Sequence, residues 1–583
     1  MIKYVCKHCN DLICQTSICP ICGARTEIIE NKIFWCDHCK APSYNDICTQ
    51  CGSKCDYIGT DLRPVFPEER LLLEVLLGKP FCYAHCSVWN VGSNRYVIDG
   101  KKKSILFKEL RDNNKTDDII NQINKYKDQN QEYVNNFLQT ETINNFMKIN
   151  QTHLNRIVFE AYEYIRKISE NKAENEMFVS FSGGKDSTVT SHLVMNALSG
   201  KTIIHIYGDT TLEYPTSEAY IKRFRNQYPK VPLLVAKNKD QEFNNLCEVI
   251  GPPSRVMRWC CTVFKTGAIT KKIDATFKDS KQLITFQGIR RNESVSRSKY
   301  DRSSSDSKIQ KQLSVNPIID WTDFDVWLYI LSNRLDFNDA YKQGFSRVGC
   351  WCCPNNSSWS EFLASIYMHD EYLKFKKILY KFAQKVGKPD WQKYIDDGEW
   401  KKRQGGNGLE FSKKSVVSYK PCALEENTYN FELTKPITED LYKFFKPFGK
   451  LNYYIGKKAL NEVYVLSRTD NMPLLRLSGR IGTSLLKISV VGHSPLFTSK
   501  RVTEVYLKNQ INKYQTCIGC TYCEAVCKYG ALKVFNTHKG DVSNDSISYT
   551  IDSDKCVGCL ECVKHFPNGC YINKVLKIKK GTK

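Results

Sequence analysis

The chain has 583 residues, 42% of them hydrophobic and 12% aromatic, enough for about three to five packed domains and too many for wholesale disorder. No apolar run reaches the ~18 residues of a membrane span, and the opening MIKYVCKHCN has no signal-peptide core, so a cytoplasmic protein with no membrane partner is expected. The formal charge of +23 favours a polyanionic partner, nucleotide or nucleic acid; the basic residues are spread along the chain, so a generally basic surface accounts for the same figure.

In a reducing compartment, 27 Cys are a metal inventory and not a disulfide framework. Residues 1–58 hold two C-x2-C…C-x2-C sets, Cys6, Cys9, Cys19 and Cys22, then Cys36, Cys39, Cys48 and Cys51. Their short gaps suit two compact zinc ribbons, with rubredoxin-like iron the alternative, because a fold this small usually needs a metal to be stable. Such ribbons either grip nucleic acid or brace a neighbouring domain. Cys14 and Cys55 are left over. Residues 59–108 read as a small α/β or β module, in which Cys82, His85 and Cys86 are ordinary packing or a further metal site. Residues 109–150, rich in Asn, Gln, Asp and Lys, read as a solvated helical connector.

From 151 to 358 helices and short apolar strands alternate. The helix NRIVFEAYEYIRKIS precedes the strand MFVSF; STVTSHLVMNALSG is a helix closed by Gly200; the strands TIIHIYG, PLLVA and QLITFQGI follow. This pattern predicts an α/β domain with a doubly wound, mainly parallel sheet covered on both faces. Between its first strand and helix lies SGGKDS. Gly183 and Gly184 let the backbone turn its N–H groups inward, the next helix adds its positive dipole, Lys185 a point charge, and Ser182 and Ser187 hydroxyl donors. Asp186 is expected to hold Mg²⁺ or cap the helix. The spacing does not fit a Walker loop. The Ser-rich stretch 298–312 reads as a mobile loop. Residues 359–415 are a helical segment ending in a basic, Gly-containing linker (401–415), 416–505 an α+β module, and 506–583 a second cysteine-dense segment.

SGGKDS after a strand resembles the pyrophosphate loop of the adenine-nucleotide α-hydrolase superfamily. With GDTTLEYPTSEAY (208–220), RWCCTVFKTGAI (258–269), GIRRNESVSRS (288–298) and NPIIDWTDFDVWLYI (316–330), the stretch is similar to the phosphoadenosine phosphosulfate (PAPS) reductase family. The resemblance implies an adenine nucleotide, ATP or PAPS/adenylylsulfate, with Asp209, Arg258, Lys265, Gly288, Arg290 and Arg297 lining it or its acidic partner. Lys185, Asp186, Arg258 and Arg290 are the expected catalytic residues. PAPS reductases usually lack an intact SGGKDS and carry a C-terminal Glu-Cys-Gly…His segment, which has no match here. The intact loop looks more like members that cleave ATP between the α- and β-phosphates, among them sulfate adenylyltransferase small subunits, nucleic-acid thiolation enzymes and DNA phosphorothioation sulfurtransferases. Those relatives make tRNA or DNA the candidate sulfur acceptor.

Cys260 and Cys261 followed by Cys350 and Cys353 resemble the 4Fe–4S site of adenylylsulfate reductases, with zinc as the rival and Cys352 as a spare thiol. CIGCTYCEAVC and CVGCLECVKHFPNGC resemble a bacterial two-cluster ferredoxin, which implies one cluster on Cys517, Cys520, Cys523 and Cys570 and another on Cys556, Cys559, Cys562 and Cys527. Phe566 stands where the fourth Cys belongs, so Cys570 is the substitute and His565 a weaker one. The expectation is an iron–sulfur enzyme of sulfur metabolism in which an electron-donor protein feeds reductive sulfur transfer. The alternatives are PAPS/adenylylsulfate reduction and a nucleic-acid-binding redox sensor.

Overall fold

The structure is a computed structural model and describes residues 2–6, 12–14, 21–22, 27–92, 95–105, 115–278, 280, 282–305, 312–406, 408–537, 547–566 and 569–576. Cys9, Cys19, part of the 298–312 loop and Pro567 lie outside the described residues.

The central sheet contains β1 (Met177–Ser180), β2 (Ile204–Asp209), β3 (Leu233–Lys237), β4 (Leu283–Gln287), β5 (Ser303–Ser304) and β6 (Gln312–Val315). Its order is β3-β2-β1-β4-β6-β5, parallel except at the edge strand β5. Period-2 alternation divides β1 between two cores. Met177 and Val179 pack with α1 (Gln151–Ile168), α2 (Lys185–Ala197) and α5 (Asp323–Ser332), whereas Phe178 packs on the other face with Ala268 and Ile273 of α4 (Gly267–Thr276). The helix α3 (Pro215–Gln227) covers Phe181 and Tyr207. Burial on both faces is why these strands read as continuous apolar runs. β1 neighbours β2 on one side and β4 on the other, so chain order reverses there, the position at which doubly wound sheets bind ligands beyond the carboxyl ends of their strands.

The four-stranded antiparallel sheet of the second module (Arg63–Pro64, Val88–Asn90, Arg95–Ile98, Lys101–Ser104) carries the helix Pro67–Leu76. The expected connector is solvated only in its first helix. Its second, Glu141–Ile149, buries Ile143, Phe146 and Ile149 on one stripe and forms the platform for the ribbon Ile33–Gly59. Asn145 Nδ2 donates to the Cys39 carbonyl at 2.9 Å, Asn150 Nδ2 to that of Pro42 at 3.0 Å, and Thr49 Oγ1 to that of Ile149 at 2.6 Å.

Residues 401–415 are not a loose linker. Arg403 turns inward and donates to the Ile250 and Pro252 carbonyls, and Lys401 meets Glu361 at 2.6 Å. Two of the basic residues that suggested a solvated tether are thus held against the fold, while Lys402 and Lys413 stay exposed. Residues 418–490 form a six-stranded sheet that is antiparallel throughout, and the helix α6 (Lys500–Thr516) runs across the boundary expected at 505 into the cysteine-rich C-terminal segment. In that segment Leu532–Asn536 pairs with Ile547–Ile551. Among the described residues no helix is long and apolar enough to cross a membrane.

Removing the Arg403 fork leaves two buried carbonyls unpaired, each costing about 1–3 kcal/mol. Arg403→Ala should therefore lower the unfolding free energy by about 2–4 kcal/mol in denaturant titration, whereas an exposed lysine such as Lys402→Ala should change it by less than about 0.5 kcal/mol.

Candidate functional site

The chain leaves β1 through Phe181 and Ser182 and enters α2 at Lys185. Gly183 has φ +71°, the left-handed region that glycine occupies without a Cβ penalty. Gly184 is the N-cap and brings no capping side chain, so the helix offers its first-turn N–H groups and dipole to an anion. The Tyr341 hydroxyl accepts the Lys185 N–H at 3.0 Å; Ser187 Oγ donates to the Gly184 carbonyl at 2.9 Å and accepts the Ser182 N–H at 3.2 Å. Gly288, just past β4, approaches so closely that a Cβ there would stand 2.5 Å from the Asp186 carbonyl and 2.7 Å from Ser187 N. Its role is to let the two strand ends close under the loop.

Lys185 folds back beneath this turn. Its Nζ lies 3.3 Å from Asp186 Oδ2 and 3.3 Å from Asp323 Oδ1. Arg290 completes the ring, its Nε donating to Asp186 Oδ1 at 2.5 Å and its Nη2 to Asp323 Oδ1 at 2.6 Å. Burial works against every one of these charges and is outweighed by the partners: Arg290 and Lys185 hold the Asp186 and Asp323 carboxyls below the usual range, and the two acids hold both cations protonated. Asp186 does not cap α2; both its oxygens face cations. Arg290 is buried behind the loop and does not line an open surface.

A fifth group joins from the second module. Asp61 accepts the N–H groups of Asp323 and Phe324, each at 3.0 Å, and so caps α5. Burial first, then the nearby Asp323 carboxylate, push its acid up to about 7. Asp61, Asp323 and Tyr341 were not anticipated as site residues. The Thr322-x-x-Asp325 capping box marks the start of α5 and was the one local signal for Asp323. Asp61 and Tyr341 are distant in sequence and carry none.

The other expected residues lie at the end of β2 and in the segments before α4 and after β4. Asp209 Oδ2 holds Lys237 Nζ at 2.8 Å, and Arg297 pairs with Glu293, which also accepts the Arg290 N–H at 3.1 Å. Lys265 lies in a π-helical turn, Cys261–Thr266, against Gly208. Arg258 Nη2 reaches Cys261 Sγ at 3.5 Å, and Thr210 Oγ1 is 3.5 Å from Cys350 Sγ. The Glu213–Cys350 bridge ties the GDTTLEY turn to the GCWCC turn. Cys260 and Cys350 pack against one apolar core, and Cys261 and Cys353 adjoin them in the chain. The Cys260 S–H, opposed by burial, draws the Cys261 thiol down to about 5, with Arg258 adding to it. Cys352 is buried and its thiol is pushed well up, as in an inert core cysteine.

At the C-terminus the structure gathers eight cysteines around two cavities. One is lined by Cys517, Cys520, Cys523 and Cys570, together with Phe566 and Tyr571; the other by Cys527, Cys556, Cys559 and Cys562. His565 lines neither and points toward Glu561. The buried Lys513 lies between the sets, donating to the Cys562 carbonyl at 2.5 Å, and Arg468 Nη2 reaches Cys556 Sγ at 3.3 Å. The first cavity abuts the nucleotide domain: Tyr571 and Cys260 pack against the core that holds Cys520 and Cys570, and Gly267 packs against Thr521 and the Cys520 carbonyl.

At the N-terminus Cys36, Cys39, Cys48 and Cys51 converge, with Cys36–Cys51 sulfurs 3.5 Å apart and Cys39–Cys48 3.8 Å apart. A tetrahedral zinc with bonds of ~2.3 Å needs sulfurs about 3.8 Å apart. Among the described residues no other His, Cys, Asp or Glu group closes to single-ion spacing, the Cys260–Cys353 set and Cys82, His85 and Cys86 included. Cys22 is exposed in a turn, and Cys6 ends the strand Ile2–Cys6.

Residues 176–356 match the phosphoadenosine phosphosulfate reductase domain, and residues 516–570 the 4Fe–4S dicluster domain. The chain carries both domains. An uncharacterized protein of Methanocaldococcus jannaschii is 31% identical over 250 residues, 42% of this chain and 58% of that protein; a second from the same organism is 30% identical over 214 residues, 37% of this chain and 43% of that protein. The chain thus spans about half the length of these relatives. An adenosine 5'-phosphosulfate reductase of Lysinibacillus sphaericus is 27% identical over 184 residues, 31% of this chain and 73% of that enzyme. Among solved structures, phosphoadenylyl-sulfate reductase from Candida auris aligns with 15% identity and a TM-score of 0.27, covering 35% of this chain and 96% of that one.

Asp61 makes the α5 cap titratable. Its acid moves from 3.8 when free to about 7 when folded, so its contribution is full below the free value and is lost as pH rises through about 7. Between about pH 5 and pH 8 the Asp61→Asn protein should lose on the order of 2 kcal/mol less unfolding free energy than the parent. Denaturant titrations across that range measure it, and parallel pH slopes would refute it.

Proposed function

We propose that the chain is an iron–sulfur enzyme of sulfur metabolism that binds ATP on Ser182–Ser187, opens it between the α- and β-phosphates, and couples that activation to reductive sulfur transfer. The observation that carries this reading is the intact uncapped loop above the Lys185–Asp186–Arg290–Asp323 ring. Preorganised N–H donors over a fixed cation suit a departing pyrophosphate, because they stabilise its charge without reorganising. In the proposed step an acceptor oxygen bonds to the α-phosphorus, the α–β P–O bond breaks, and pyrophosphate leaves with the electron pair. Asp209, Arg258, Lys265 and Arg297 then line the nucleotide or its acidic acceptor, for which tRNA or DNA fits the net charge of +23.

Each C-terminal cavity, with its four thiols and a neighbouring cation, suits one 4Fe–4S cluster; the wider Cys260, Cys261, Cys350 and Cys353 set suits a third better than a single zinc. When bound, these groups carry single electrons. The spacing of Cys36, Cys39, Cys48 and Cys51 suits zinc, and its ties to Asn145, Asn150 and Ile149 favour bracing over gripping nucleic acid. Adenosine 5'-phosphosulfate reduction is the second reading, favoured by the thiol set beside β2 and by the names of the bacterial relatives.

Anaerobic assays separate the two. Lys185→Ala should lower pyrophosphate release from ATP about 10²-fold with iron content unchanged. Sulfite from adenosine 5'-phosphosulfate, with no pyrophosphate from ATP in the parent protein, would select the second reading. Cys520→Ser should leave nucleotide binding intact and stop reductive turnover. A point change is the appropriate probe, because Ile511, Tyr514, Ile518 and Ile572 belong to cores that a truncation would break. Cys39→Ser should remove one zinc per chain, read by elemental analysis, and leave iron unchanged.

A further inference from the structure

The two C-terminal cavities differ in how far their thiols lie from solvent. Cys517, Cys520 and Cys570 are 6%, 8% and 7% exposed, and their cavity is closed on one side by Tyr571 and the nucleotide domain. In the other cavity Cys559 is exposed, and beside it Val557 is 56% and Tyr529 50% exposed. An exposed valine and tyrosine next to an exposed thiol form a small apolar spot. Basic side chains surround it: Lys528, Lys555 and Lys564 are exposed in the segments lining the cavity, and Arg468 stands behind it against Cys556. Asp552 and Glu561 pair with Lys555 and Lys564 at 3.0 and 3.1 Å and the exposed Asp554 adds a third negative charge, so with Lys528 and Arg468 the rim keeps one excess positive charge, within a chain of net charge +23.

We propose that the face around Val557, Cys559 and Tyr529 docks a small acidic one-electron carrier protein and is where electrons enter. This rests on the reading that the C-terminal cavities hold redox clusters. A compact apolar centre inside a charged rim suits a transient encounter, in which complementary charge raises the on-rate more than the affinity. The carrier would lose one electron to the centre that Cys527, Cys556, Cys559 and Cys562 would hold, and no bond would form or break. From there the geometry leads inward, past Lys513 to the buried thiols and through the core shared by Cys520, Cys570, Tyr571 and Cys260.

The test follows the bleaching of the cluster absorbance in the full-length holoprotein without nucleotide, so it does not depend on whether ATP is the substrate. Reduced flavodoxin, an acidic carrier, should reduce the parent protein at a rate that falls steeply as salt rises. The double variant Lys528→Glu/Lys555→Glu should be reduced at least tenfold more slowly at low salt. Val557→Glu should act the same way, while dithionite should reduce all three proteins equally, with equal iron content and equal electron paramagnetic resonance spectra. Flavodoxin reduction that is independent of salt, or equal in parent and variants, would overturn the proposal, as would failure of the parent to accept electrons from a carrier of lower potential. If the variants lose iron, the salt dependence of the parent alone decides. Failure of the ATP reading would leave all of these rates unchanged.

Discussion

Two buried cations and two partly buried carboxylates balance one another beneath the β1–α2 loop, where three segments of the α/β domain meet. The two cations gain their partners at a depth where an unpaired buried charge costs several kcal/mol. Lys185 and Asp186 come from the first turn of α2, Arg290 from the segment after β4, and Asp323 from the first turn of α5. Closing the ring therefore fixes where three chain segments meet, and Gly288 is the steric condition that lets them meet. The loop keeps its shape because its foundation is electrostatically closed, leaving its outward N–H groups for an anion.

The ring also connects modules that look separate in the chain. Asp61 reaches α5 from the segment just after the ribbon, and the ribbon is hydrogen-bonded to the connector helix packed beneath α5. The four-thiol site at Cys36–Cys51 thus supports the nucleotide loop at a distance, through packing and a helix cap. On the opposite flank, Gly267 and Tyr571 bring the C-terminal cysteines against the Cys260–Cys261 turn. The ribbon shares one apolar core with α2, while Trp400, Phe411 and α6 pack into the cores that hold the C-terminal cysteines, which is why residues 401–415 and α6 behave as structural members and not as tethers.

Much of this was legible locally. The apolar runs of β1 to β4, the helices between them, the SGGKDS turn and the cysteine spacings all express short-range rules: side-chain periodicity, the backbone freedom of glycine, and the reach of thiols two residues apart. Those rules predict elements and motif chemistry. They misjudge residues whose partners are remote. Arg403 reads as a solvated linker residue until the Ile250 and Pro252 carbonyls are placed before it. Asp186 reads as a free carboxylate until Arg290 closes on it.

By itself the sequence determined the parallel α/β domain, the phosphate-type turn and the grouping of cysteines into sets, because each depends on interactions spanning a few residues or on one face of one element. The tertiary structure alone decided which charges neutralise which, that Asp61 and Tyr341 belong to the site, that one C-terminal cavity is buried against the nucleotide domain while the other reaches solvent, and that the ribbon is welded to a helix. These depend on burial and on Coulomb partners brought together by folding. A charge two hundred residues away leaves no local trace, yet at 3 Å in a dry interior it determines whether its partner can remain ionised.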